Sequence, residues 1–301
     1  MWRRRVLSLV SLFVLVSATS AAAQGRLESK FFDSDGVQIH YVDVGEGEPV
    51  VLIHGFTSNL QQNWKGSGLI DALRDDYRVI ALDNRGHGRS GKPHDPAQYG
   101  IEMVNDSIRL LDHLDIDQAH FVGYSMGAFI TSKLMTTYPQ RVITATLGGA
   151  GWNRADGPNL ELMDELATSL EEGNGITPLI RHLTPEGQPV PSEDELKSIN
   201  ALVMLVNDPK ALAAVIRGFR GLIVPREDLE AHELPTLALI GDNDPLKEGV
   251  DAMKAIVPEL NVVVIEDADH MTAPAKPEFR AAFLEFLSQH ARVAVAAGAG
   301  S

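Results

Sequence analysis

Residues 119–127 read Ala-His-Phe-Val-Gly-Tyr-Ser-Met-Gly, and this stretch decides the fold. Ala119-His120-Phe121-Val122 is a short apolar run bounded by glycine, as expected of a strand buried on both faces. Gly123-Tyr124-Ser125-Met126-Gly127 fits G-x-S-x-G, and a helical pattern, Ile130, Leu134 and Tyr138, begins directly behind it. The motif alone is weak. With Gly and Ser each at roughly 7% of residues, about 0.1 chance matches arise in a chain of this length. A strand running in and a helix running out make it a sharp turn that lifts the serine hydroxyl clear of a sheet. The two glycines are needed because side chains there would collide in so tight a turn. Ser125 also sits at a helix N-terminus, where backbone N–H groups favour developing negative charge.

Outward from this turn the same alternation repeats. Val50-Val51-Leu52-Ile53, Arg78-Val79-Ile80-Ala81-Leu82 and Ile143-Thr144-Ala145-Thr146-Leu147 read as further buried strands. Val104, Ile108, Leu111 and Leu114 recur at helical spacing between two of them. Strand, helix, strand repetition argues for an α/β fold with a parallel sheet and helices on both faces. Phe31-Phe32 and Val37–Val42 look like an opening antiparallel hairpin turning at Asp35-Gly36. The pattern changes from residue 152 to about 224, where helices occur without strands. Ser192 and Glu195 make a capping box before Leu196, Ile199 and Val203, and Asp208-Pro209 starts a helix with Leu212, Val215, Ile216 and Phe219 on one face. Strands resume at Leu237-Ala238-Leu239-Ile240 and Val262-Val263-Val264-Ile265, followed by an amphipathic helix over Pro277–Gln289. The expected organisation is therefore a core of residues 24–151 and 225–290, interrupted by a helical cap at 152–224. Such a cap can lie over the carboxyl ends of the strands, where open α/β sheets bind ligands.

A serine hydroxyl is a poor nucleophile without a base, and the base needs an acid to orient it. In a fold of this kind the chain order is Ser, acid, His. His270 follows the last strand, in Asp267-Ala268-Asp269-His270-Met271, the position the base requires. A lone loop histidine is ordinarily just solvated, and the other nine histidines mostly deserve that reading. The acid should follow the preceding strand, where Gly241-Asp242-Asn243-Asp244-Pro245 offers two carboxylates.

These features resemble the α/β-hydrolase superfamily, in its capped, esterase-like Ser-Asp-His branch. The resemblance runs from Phe31 to about His290, and its further marks are Leu52-Ile53-His54-Gly55-Phe56 and Asp83-Asn84-Arg85-Gly86-His87-Gly88-Arg89-Ser90. It implies a mostly parallel eight-stranded sheet. It selects Asp244 as the acid, through G-x-x-D, and leaves Asp242 as a turn residue. It also makes the N–H groups of Phe56 and Met126 the oxyanion donors, with His54 bracing its loop. Two features depart from the family pattern. Asp269 stands before the histidine where glycine is common, and a carboxylate there can compete as the partner of His270. The lipase-type His-Gly-Gly-Gly sequence is absent, which by analogy counts against bulky tertiary esters.

The chemistry implied is hydrolysis of a small or medium ester-like acyl substrate through an acyl-enzyme on Ser125. Carbon–carbon hydrolysis, lactone opening and peracid formation use the same triad and stay open. A non-catalytic ligand-binding protein that keeps the pocket is the alternative of another class. Epoxide hydrolases and haloalkane dehalogenases resemble the fold but carry an aspartate at the elbow, so Ser125 argues against both. Met163, Leu179, Leu202, Met204 and Phe219 are candidates to line an apolar pocket or, one by one, simply to pack the cap. Gly86-His87-Gly88-Arg89-Ser90-Gly91 fits G-x-G-x-x-G, but Lys92-Pro93-His94-Asp95-Pro96 follows it rather than a helix, so no helix N-terminus awaits a pyrophosphate. No metal-ligand spacing occurs, so no metal or other cofactor is expected.

Composition bounds the rest. The chain has 301 residues and no cysteine, which excludes disulfides, thiolate ligands and a cysteine nucleophile. Its first five residues carry three arginines, Val6–Ala18 is apolar, and Ala21-Ala22-Ala23 offers a small-residue cleavage site. That order predicts a secretory signal over residues 1–23, a mature start near Gln24, and a periplasmic or secreted location. Loss of the three arginines takes the formal net charge from −15 to −18. Such a surface repels nucleic acid and anionic membranes, leaving a small-molecule acyl substrate as the expected partner. The Ala/Gly-rich end, residues 291–301, reads as a flexible tail.

Overall fold

The computed structural model describes residues 27–157 and 159–292, with the backbone alone at Asn159 and Leu160. The expected leader (1–23), the mature start near Gln24 and nearly all of the tail lie outside the described residues. Eight strands form one sheet: β1 Lys30–Ser34, β2 Val37–Val44, β3 Glu48–Ile53, β4 Tyr77–Leu82, β5 Ala119–Tyr124, β6 Val142–Gly148, β7 Thr236–Gly241 and β8 Asn261–Ile265. Their order across the sheet is β1-β2-β4-β3-β5-β6-β7-β8. Pairing is antiparallel on both sides of β2 and parallel elsewhere, so β2 alone runs against the rest. The β1–β2 turn falls where expected, with Asp35 and Gly36 both at positive φ (55° and 81°), the conformation a two-residue hairpin loop demands.

The helices are α1 Leu69–Leu73, α2 Ile101–His113, α3 Met126–Thr137, α4 Asn159–Glu171, α5 Thr177–His182, α6 Glu193–Val206, α7 Pro209–Gly218, α8 Arg226–Glu230, α9 Lys247–Ile256 and α10 Pro277–His290. α1, α4, α5, α8 and α9 are additions to the elements read individually from the sequence. β5 lies mid-sheet with all six residues buried, as its apolar composition requires. The two-residue period of the strands separates two cores. Val51, Ile53 and Phe121 face one, together with α2 and α3. Val50, Leu52, Val122 and Tyr124 face the other, which α10 covers with Phe279, Phe283 and Leu287.

Between β6 and β7 the described residues hold helices and no strand. Leu166, Leu170, Ile176, Leu212 and Ile216 give this insertion a small core of its own. Its local starts are those expected: the Ser192–Glu195 capping box opens α6, and Asp208 accepts the N–H groups of Lys210 and Ala211 at 3.0 and 3.1 Å to open α7. The loops leaving β3, β5, β7 and β8 all emerge at the carboxyl edge of the parallel strands. That edge is where this topology collects ligand-binding residues.

Candidate active site

Ser125 occupies the turn between β5 and α3 with φ 55° and ψ −116°. A side-chain-bearing residue there costs on the order of 1–3 kcal/mol of backbone strain. Its N–H donates to the Gly148 carbonyl at 2.7 Å, which ties the turn to β6. The flanking glycines answer to contacts that leave no space. A Cβ on Gly123 would lie 2.0 Å from the Gly127 carbonyl oxygen, and one on Gly127 would lie 2.0 Å from that of Ile53. The strain and the glycines together present the Ser125 hydroxyl above the sheet edge.

The loops after β8 and β7 meet it. The Ser125 Oγ lies 2.9 Å from Nε2 of His270, and Nδ1 of His270 lies 2.9 Å from Oδ2 of Asp244. Both His270 and Asp244 are 4% exposed. An ionised carboxylate only accepts, so it fixes the proton on Nδ1 and leaves Nε2 free to accept from the serine hydroxyl. Asp244 itself is held by the Leu246 N–H, which donates to Oδ1 at 2.9 Å. Asp242 points elsewhere: it accepts the N–H groups of Asp267 and Ala268 at 3.1 and 3.0 Å. Those bonds, the Ala268 one foremost, hold its carboxyl below the usual range and pin the β7 and β8 loops together. Asp269 does not compete for His270. Its Oδ1 accepts from Met271 N, Thr272 N and Thr272 Oγ1 in its own turn.

Phe56 and Met126 line the same cavity as the serine. Gly55 packs so closely that a Cβ there would sit 3.3 Å from Ser125 Cβ, which brings the 54–57 loop against the Ser125 turn. Among the described residues, neither the Phe56 N–H nor the Met126 N–H has a backbone acceptor. His54 braces this loop. Its Nε2 accepts the Asn84 N–H at 2.9 Å, so Nδ1 carries the proton and donates to the Gly55 carbonyl at 2.7 Å. Burial lowers the His54 pKa, consistent with a neutral structural ring.

Residues 48–277 match the family model described as the alpha/beta hydrolase fold. The chain belongs to the α/β-hydrolase family. Among its relatives, the dihydrolipoyllysine-residue acetyltransferase component of the acetoin cleaving system of Cupriavidus necator is 30% identical over 253 residues, 82% of this chain and 65% of that protein. The hydrolase chain thus spans less than two thirds of that relative's length. The 2-hydroxy-6-oxo-6-(2'-aminophenyl)hexa-2,4-dienoic acid hydrolase of Metapseudomonas resinovorans is 27% identical, covering 92% of this chain and 97% of that one. A thermophilic esterase from Thermogutta terrifontis superposes with a TM-score of 0.70 at 26% identity, covering 89% of this chain and all of that one.

In this α/β hydrolase the helical insertion and the sheet edge line a half-open cavity of about 50 Å³ beside Ser125. By the space one water occupies, that is room for about four water-sized groups. Phe56 and Met126 line it from the sheet side, and Met163, Leu179 and Phe219 from the insertion. Leu202 and Met204 are not part of it. Leu202 is 41% exposed on the outer face of α6, and Met204 packs within the insertion's own core. α6 turns only part of its apolar surface inward, and periodicity cannot say which neighbour a stripe meets. A larger open depression near Asp115 and Arg141 lies away from the strand carboxyl ends and contains none of the site residues.

The hydrolase's second motif, residues 83–90, is scaffold. Arg85 and Asp106 form a buried ion pair at 2.7 and 2.6 Å, and the Asp83 carboxylate accepts from Leu60 N and Arg89 N, both at 2.8 Å. A Cβ on Gly88 would lie 2.3 Å from that carboxylate, so this glycine serves packing and not phosphate approach. Two contacts near the triad carry no sequence signal. The Tyr124 hydroxyl donates to the His270 carbonyl at 2.6 Å, and His182 of α5 lines the cavity. Among the described residues no group of three or more His, Asp or Glu side chains is placed to hold a metal.

Proposed function

We propose that this hydrolase cleaves short-chain ester-like acyl substrates through an acyl-enzyme on Ser125, with Asp244 and His270 completing the triad. The observation that supports it most is the linked pair of 2.9 Å contacts from Ser125 through His270 to Asp244, set at the wall of a small apolar cavity. His270 Nε2 takes the Ser125 proton as Oγ adds to the carbonyl carbon. The oxyanion accepts from the N–H groups of Phe56 and Met126, and His270 then gives its proton to the departing alkoxide. Water repeats the sequence on the acyl-enzyme, with His270 as base, and frees the acid. The backbone donors are set in place before reaction, so stabilising the oxyanion costs no reorganisation. The cavity supports a short acyl chain, and among the described residues no lysine or arginine lines it. A carboxylate-bearing substrate such as a dienoic acid would therefore be desolvated there without a partner. The charged, apolar and small-residue order of residues 1–23 supports an exported enzyme.

The test is turnover of p-nitrophenyl acetate and butyrate by the purified protein and by Ser125→Ala. Loss of burst and steady-state release in the variant, with unchanged circular dichroism, is the expected result. Equal turnover by the two proteins would remove Ser125 from the reaction.

A further inference from the structure

The cavity wall beside Ser125 is built from Leu, Met, Ile and Phe side chains, and His182 is the imidazole among them. α5 ends on it, so the ring is delivered by the insertion and not by the catalytic loops. Its Nε2 is shut off from solvent and has no hydrogen-bond partner among the described residues. A buried polar atom without a partner costs about 1–3 kcal/mol, and a native structure that keeps one calls for an account of it. Packing alone offers none, since a leucine would fill an apolar wall without that penalty. Burial, and then the neighbouring His270, hold the His182 pKa below its ordinary value, with Asp244 opposing. The ring is therefore neutral at pH 7 and presents one donor and one acceptor.

We infer that His182 is a specificity-determining residue, which hydrogen-bonds an uncharged oxygen on the acyl group and selects short hydroxyacyl esters over their unsubstituted counterparts. This rests on Ser125 acylation as proposed above. A hydroxyl suits the ring because it can donate to Nε2 or accept from it, whichever tautomer is present. A carboxylate does not, because a neutral ring offers it no charge. A ligand hydroxyl also relieves the unpaired nitrogen, so the free enzyme's penalty becomes a preference for the substrate that removes it.

The experiment compares kcat/KM for p-nitrophenyl 3-hydroxybutyrate and p-nitrophenyl butyrate in wild type, His182→Leu and His182→Gln. The leaving group is common to both esters, so their ratio reads only the acyl side. Wild type should prefer the hydroxy ester by about fivefold, the worth of one neutral hydrogen bond. His182→Leu should bring the ratio to about one by losing the hydroxy ester alone, and His182→Gln should restore part of the preference. Fluorophosphonate labelling of Ser125 is followed in each protein. A ratio that is the same in wild type and His182→Leu, or a parallel loss of both esters with labelling intact, would overturn the role of His182 and leave Ser125 untouched. Wild type that neither labels nor turns over butyrate would instead remove Ser125 as nucleophile, and His182 with it. If His182→Leu fails to label, the ratio in His182→Gln decides: unchanged from wild type, it overturns the assignment, and reduced, it upholds it.

Discussion

Two carboxylates follow β7, and only one can orient the base, so exchanging each for its amide separates them. Asp244 Oδ2 accepts from His270 Nδ1 at 2.9 Å in a site where both residues are 4% exposed. An asparagine there keeps the volume but can present its NH₂ to Nδ1. The ring then favours the tautomer with the proton on Nε2, which cannot accept from Ser125. In triads of this kind the same exchange costs about 10⁴ in kcat, equivalent to about 5.5 kcal/mol of transition-state stabilisation. Asp242 does different work, because its oxygens accept the N–H groups of Asp267 and Ala268, and an asparagine still offers one carbonyl oxygen. Asp244→Asn should therefore reduce kcat by about four orders of magnitude with KM near wild type. Asp242→Asn should leave kcat near wild type. Steady-state kinetics on p-nitrophenyl butyrate, with active sites counted by burst titration, measures both. Comparable losses in the two variants, or the larger loss in Asp242→Asn, would refute the assignment.

Further outcomes follow from the same contacts. Burial pushes the fully enclosed His87 down to about 3, so its unfolded ring, near 6.5, binds a proton that the folded ring refuses. Its contribution to stability is complete above about pH 6.5 and falls away toward pH 3, amounting to about 2 kcal/mol lost between pH 7.5 and 5. Urea unfolding should show this slope in wild type and a flatter one in His87→Leu; parallel slopes would count against it. Tyr124→Phe removes the hydroxyl that donates to the His270 carbonyl at 2.6 Å. It should lower kcat by about tenfold while KM holds, at a cost of about 1 kcal/mol in stability.

What the sequence revealed and what it withheld divide along physical lines. β3, β4 and β5 are legible because a strand buried on both faces must be a continuous apolar run, and nothing in their surroundings competes with that demand. Asp35-Gly36 is legible because two successive residues at positive φ need these residue types. The helical insertion shows as a change of period, since helices without strands cannot extend a sheet. Asp244 and Asp242 are alike at this level. They differ in their partners: Asp242 accepts N–H groups of residues 267 and 268, and Asp244 meets His270, all brought in from about 25 residues away in the chain. Tyr124 and His182 are invisible for a similar reason. One occupies an unspecified position of its motif, and the other is a solitary histidine on a six-residue helix whose neighbours come from elsewhere in the fold. Leu202 shows the converse: its apolar character and helical spacing invite a pocket role, yet it stands 41% exposed on α6 and away from the cavity.

A hydrogen-bonded chain of hydroxyl, imidazole and carboxylate is not by itself a catalytic site, and this molecule contains the comparison. Ser29 Oγ lies 3.0 Å from His40 Nε2, and His40 Nδ1 lies 2.8 Å from Asp83 Oδ2, nearly the spacing found at Ser125. Burial of Asp83 works to raise its pKa, but His40 and the Leu60 and Arg89 N–H groups hold the carboxyl below the usual range, so this acid is ionised. The differences lie around the relay. Ser29 sits on an exposed approach to β1 and not on a strained turn. The Ser29 hydroxyl oxygen also accepts from the Arg89 guanidinium, which holds it in a surface contact. Ser125 has the strained turn, the small cavity, and two N–H groups with no backbone acceptor among the described residues. If those three features make the nucleophile, a fluorophosphonate probe should label wild type at Ser125 alone, and Ser125→Ala should not label at all. Residual labelling of that variant that disappears on further exchange of Ser29 for alanine would show that the relay suffices without the turn, the cavity or the oxyanion donors.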